Sequence, residues 1–97
     1  MFNLKDAVDI ANKLGITFDK FSIYDFLTGL NIELEHGKIN EFTNVTNDSL
    51  ELTAKIALAH LNEFPNYYDK DYGLPAFEKF LEKRRLKIWS PLIFLLF

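Results

Sequence analysis

The chain has 97 residues and no cysteine, with ten Phe, four Tyr and one Trp available for a core. That length suits a single core, and the missing thiols exclude disulfides, thiolate nucleophiles, zinc fingers and iron–sulfur ligation, so that any metal would have to bind through His and carboxylates. Residues 1–78 hold thirteen acidic and six basic side chains, and residues 79–97 hold one acidic and five basic; an acidic body repels phosphate backbones, so nucleic acid is not an expected partner.

The first ten residues contain Asp6, Asp9 and one Lys. They lack the basic start and apolar run of a secretory signal, which makes the cytoplasm the expected location. Asn3 and Asp6 have the spacing of a capping box, and Leu4, Ala7, Val8, Ala11 and Leu14 follow at helical intervals up to Gly15, predicting a first helix. Ser22 and Asp25 repeat the device, with Phe21 placed to staple against Phe26. Ile23, Leu27, Leu30 and Leu34 continue a second helix, which Gly37 is expected to end. Gly29 inside that helix costs about 1 kcal/mol against Ala, so a close approach by another group is expected there.

Residues 38–47 lack periodicity and are rich in Asn and Thr, the pattern of a loop. Asp48 with Glu51 reads as a third capping box, opening a helix that runs to about Phe64, before Pro65. On a helical wheel only Glu51, Lys55 and Asn62 form a narrow polar stripe, so this helix is expected to lie centrally. Asn66 to Tyr72 reads as a short helical turn and Ala76 to about Lys87 as a fourth helix, with Phe77, Phe80 and Leu81 facing inward. The expected fold class is therefore all-α: a small single-domain bundle of about four helices over residues 1–85, with a short apolar tail at 86–97.

Two polar pairs stand out. Glu33 and His36 are three apart on the second helix, and His60 and Glu63 are three apart on the third, so each pair points one way. Together Glu33, His36, His60 and Glu63 could present two imidazoles and two carboxylates to a divalent metal, with Glu35, Tyr67 and Tyr68 close by. The pattern only partly resembles a di-iron bundle, which uses two Glu-x-x-His motifs and two further Glu. A structural pairing is the preferred reading, because a buried imidazole needs hydrogen-bond partners; His60 is expected to be buried and to pair with Glu33 rather than Glu35, since Glu33 flanks the same side as Gly29. No Gly-x-Ser-x-Gly elbow or glycine-rich phosphate loop is present, so covalent catalysis is not expected and the two His and the carboxylates leave only metal-assisted or general acid–base work open; no catalytic residue and no cofactor is named, a divalent metal ion being the alternative.

The segments Gly29-Leu30-Asn31-Ile32-Glu33-Leu34-Glu35-His36-Gly37, Thr43-Asn44-Val45-Thr46-Asn47-Asp48 and Lys55 to Tyr68 together resemble an uncharacterised prokaryotic family, domain-of-unknown-function family 5661, over roughly residues 3 to 72. The resemblance implies a small helical domain and brings no activity, substrate or ligand. After Tyr72 the chain departs from that pattern.

Lys83-Arg84-Arg85-Leu86-Lys87 precedes Ile88-Trp89-Ser90-Pro91-Leu92-Ile93-Phe94-Leu95-Leu96-Phe97, an order that suits a membrane surface. Ten residues span only about 15 Å as a helix, too short to cross a bilayer. The tail is expected to pack back on the core or to be an extension, with membrane or partner contact as the other reading. The leading functional expectation is a non-catalytic helical accessory or protein-interaction module, and the alternative is a metal-binding protein or metal-dependent enzyme using the four His and Glu residues.

Overall fold

The computed structural model of the protein describes residues 1–85. It consists of four helices: α1 (Leu4–Leu14), α2 (Ile23–Ile39), α3 (Leu50–Glu63) and α4 (Leu74–Arg85). No strand occurs among the described residues, so the all-α expectation holds. The expectations for the tail at 86–97 lie outside the described residues. Among those described, no helix is long and apolar enough to cross a membrane.

The first two helices begin as their sequences dictate. Asn3 accepts from the Asp6 amide while the Asp6 carboxylate accepts from the Asn3 amide, and Ser22 and Asp25 do the same. Each box satisfies two backbone donors that a helix start would leave unpaired. Gly15 ends α1 at φ 70°, a conformation open to glycine at little cost.

The start of α3 differs from expectation. Asp48 has φ 62°, whereas an N-cap needs extended backbone, so the cap passes to Ser49, whose hydroxyl accepts from the Leu52 amide. Asn47 is also left-handed, at φ 49°. Short polar side chains tolerate this conformation, and Asp48 uses its carboxylate to accept from the Asn44 amide group at 2.9 Å. Gly37 is likewise not a stop. The helix continues to Ile39, and a Cβ on Gly37 would stand 2.8 Å from Asn44 Oδ1, so its bareness lets the α2–α3 loop lie against the helix.

Packing is most extensive between α2 and α3, with α1 laid against both. Ala7, Ile10 and Ala11 of α1 meet Phe26 and Leu30 of α2 and Ala54, Ala57 and Leu61 of α3. Phe26, Leu30 and Leu61 are fully enclosed, and burying a side chain of this kind contributes on the order of 1.5 to 3 kcal/mol. The staple residue Phe21 is buried in the same core as Phe26. Phe18, at φ 55°, stands edge-on to Phe21 and Phe26 with centroids 5.8 and 5.9 Å away; these contacts hold a backbone conformation that is uncommon for a bulky residue. Asn31 clamps the amino terminus, accepting from the Phe2 amide at 2.8 Å and donating to the Phe2 carbonyl at 3.0 Å.

The connection to α4 and the facing of α4 follow. The stretch expected as a short helical turn, Asn66 to Tyr72, is a series of turns, with Tyr67 N–H donating to the Phe64 carbonyl, Asp69 N–H to that of Asn66 and Gly73 N–H to that of Asp69. In α4 the inward side is made by Leu74, Glu78 and Leu81, while Phe77 and Phe80 are 50 and 53% exposed. This helix leans on the body by one edge, which leaves an apolar arc uncovered by the other three helices.

Candidate functional site

Residues four apart on a helix stack along one face. Gly29 and Glu33 lie in such a row on α2, with His36 one turn further, and all three look toward the end of α3 and the connection that follows it. At Gly29 the row is bare, and the Tyr68 ring fills the space: a Cβ at Gly29 would lie 2.5 Å from Tyr68 Cε2. This is the close approach that the sequence led us to expect. It brings the phenol hydroxyl onto Glu33.

Glu33 is buried, 8% exposed, and its Oε2 accepts from the Tyr68 hydroxyl at 2.5 Å and from His60 Nδ1 at 2.9 Å. The same His60 nitrogen lies 2.9 Å from the Tyr68 oxygen. A carboxylate can only accept, and the phenol proton is committed to it, so Nδ1 of His60 must carry its proton. Tyr67 stacks on the His60 ring at 4.2 Å and 13° and meets Tyr68 edge-on at 4.9 Å. The expected His60–Glu33 pair is therefore present, while Glu35 is exposed. The expected burial of His60 is corrected, since its side chain is 32% exposed. It sits in the last turn of α3, with Nδ1 turned to Glu33 and Tyr67 stacked on the ring.

His36 connects the same carboxylate to α4. Its Nε2 lies 3.0 Å from Glu78 Oε1 and its Nδ1 lies 3.8 Å from Glu33 Oε1, too far for a hydrogen bond. A neutral ring donating to Glu78 would turn a lone pair on Nδ1 toward a second carboxylate. The protonated ring avoids that repulsion. The Glu33 carboxylate is the largest influence on His36 and, with Glu78, raises its pKa above 6.5 against the opposing cost of burial. Burial alone would push the Glu33 carboxyl up, but His36, the Tyr68 hydrogen bond and His60 together hold it below 4.5. Burial, then the Glu33 hydrogen bond, push the Tyr68 phenol far above its ordinary value, and burial followed by the nearby Glu33 charge raises Tyr67.

Of the four residues singled out from the sequence, the structure gathers Glu33, His36 and His60. Glu63 is exposed at the end of α3 and shares no hydrogen bond or ion pair with the other three. Among the described residues, no three His, Asp or Glu side chains are arranged to hold a metal ion. Two participants were not legible as members of the cluster. Tyr68 had been placed only in its neighbourhood, and Glu78 had no sequence signal because the pitch of α4 against α2 decides which of its residues meets His36. Among the described residues, a surface hollow of about 200 Å³ lies beside Phe18 and another of about 240 Å³ beside Lys38, and none of the cluster side chains lines either.

A family model described as a protein of unknown function, DUF5661, matches residues 7–75. No curated protein and no solved structure matches the chain.

Proposed function

We propose, for a chain that belongs to the DUF5661 family of proteins of unknown function, that it is a non-catalytic helical interaction module in which the Glu33 cluster is a structural lock. The observation that carries this reading is Glu33 itself, whose buried carboxylate is engaged by Tyr68, His60 and His36 at once. The groups that could move protons are spent on one another, and they join α2, α3, the α3–α4 connection and α4. Phe42 and Val45 stand 92 and 78% exposed on the α2–α3 loop, and they are the groups this reading sets against a partner.

The second reading is a divalent-metal site at Glu33, His36, His60 and Glu63. What favours it is the proton fixed on His60 Nδ1, which leaves Nε2 with a lone pair one helical turn from Glu63. The raised pKa of His36 opposes it, because a metal there would have to displace a proton that Glu33 and Glu78 stabilise. Melting of the full chain with and without zinc or manganese separates the two. A ligand of the folded state must raise the melting temperature, contributing about 2.7 kcal/mol at a hundredfold excess over its dissociation constant. The lock predicts no rise. A rise abolished by His60→Ala and by His36→Ala replaces it with the metal reading.

A further inference from the structure

The outward side of α4 differs in charge from the rest of the molecule. Placed at 100° per residue, its exposed side chains run around the axis in the order Glu82, Lys79, Lys83, Phe80, Arg84, Phe77, with the one acid at the end of the run. The two acids of the helix, Glu78 and Glu82, lie four residues apart on the other flank, where Glu78 meets His36. The outer arc is therefore cationic and aromatic on a body whose residues 1–78 carry more than twice as many acids as bases. Within the arc the Phe77 and Phe80 rings lie parallel, 6.5 Å apart, and the Arg84 guanidinium sits over Phe80 at 5.6 Å. Beyond α4 the sequence continues with Lys87, Trp89 and a run of Leu, Ile and Phe, the composition that collects at a lipid–water boundary.

We infer that the outward face of α4 docks the protein on an anionic lipid surface. Lys79, Lys83 and Arg84 meet the head groups, and Phe80 enters the interfacial layer between them. The acidic body favours this orientation, because it is repelled by the same surface that attracts α4 and so keeps the other helices turned away. A second copy's acidic body would complement the cations equally well, but it offers no apolar phase for the exposed Phe80 ring. The inference is independent of what the Glu33 cluster does.

The test is co-sedimentation of the full chain with phosphatidylcholine vesicles, with and without phosphatidylserine. Binding is expected only with phosphatidylserine present and is expected to be lost at high salt, since surface charge is screened within a Debye length. Lys83→Glu with Arg84→Glu should lower partitioning by about tenfold or more, given that each cation near such a surface contributes a several-fold factor. Phe80→Ser should weaken it without changing net charge. Lys20→Glu with Lys55→Glu, the same charge change on the body, should weaken it far less, and circular dichroism of each variant confirms the fold. Equal binding to neutral vesicles, or equal loss in the α4 and body variants, overturns the inference. So does retention on single-stranded RNA without vesicle binding, or a concentration-dependent dimer that Lys83→Glu with Arg84→Glu dissolves without vesicle binding.

Discussion

The Tyr68 ring rests on the bare backbone of Gly29, closely enough that a Cβ there would stand 2.5 Å from Cε2. The ring cannot retreat freely, because its hydroxyl is tied to Glu33 and shares the His60 nitrogen. Gly29→Ala should therefore destabilise the fold by about 1 to 2 kcal/mol, with overpacking outweighing the gain of about 1 kcal/mol in helix propensity. Urea unfolding measures this. A stabilised variant would show that the connection holding Tyr68 gives way without cost.

Tyr68→Phe keeps the ring and removes one donor from a buried carboxylate. Leaving a buried charged acceptor short of a donor costs about 1 to 3 kcal/mol, and that is the expected loss. Tyr67→Phe is the control: the Tyr67 hydroxyl makes no hydrogen bond among the described residues, so its removal should change stability by no more than about 0.5 kcal/mol. Equal losses in the two variants would remove the special standing of the Tyr68–Glu33 bond.

What could be read from the sequence was what short-range rules decide. Asn3 with Asp6 and Ser22 with Asp25 name their own caps, and Gly29 announces a close approach because nothing local explains it. The need of an imidazole for hydrogen-bond partners points from His60 to Glu33, although the ring is half-buried rather than buried. The failures came where a distant group or an unusual backbone decides. Asp48 has the chemistry of a cap and the wrong dihedral angles, and Gly37 looks like a stop because the Asn44 side chain that explains it arrives from the following loop. The apolar spacing of Phe77 and Phe80 points to a core, because spacing cannot reveal that α4 touches the body along one edge. Glu78 was invisible for the same reason.

Ala57 is completely buried where α3 meets its neighbours. Ala57→Leu adds three carbons to a packed interior and should cost about 1 to 3 kcal/mol. The midpoint of urea unfolding should fall with no change in its slope. Ala59→Leu, on the exposed side of the same helix, should shift stability by about 0.5 kcal/mol or less. Equal responses at the two positions would contradict the burial of Ala57 and the central place of α3.

The chain of charges from Glu33 through His36 to Glu78 predicts a stability that falls on both sides of a mildly acidic optimum. Glu33 titrates below 4.5 in the fold, so its contribution is present above the unfolded value and is lost as pH falls through the depressed one. His36 titrates above 6.5; the unfolded chain releases this proton first, so the contribution is complete below the unfolded value and is lost as pH rises through the raised one. Between those limits carboxylate and imidazolium are both charged, and the link between α2 and α4 is at full strength. His36→Gln should flatten the alkaline fall while keeping much of the acid one, and Glu78→Gln should reduce the alkaline fall in part. Unfolding midpoints measured from about pH 3 to about pH 9 test this. An alkaline loss equally steep in the wild type and in His36→Gln would show that His36 is not the group responsible.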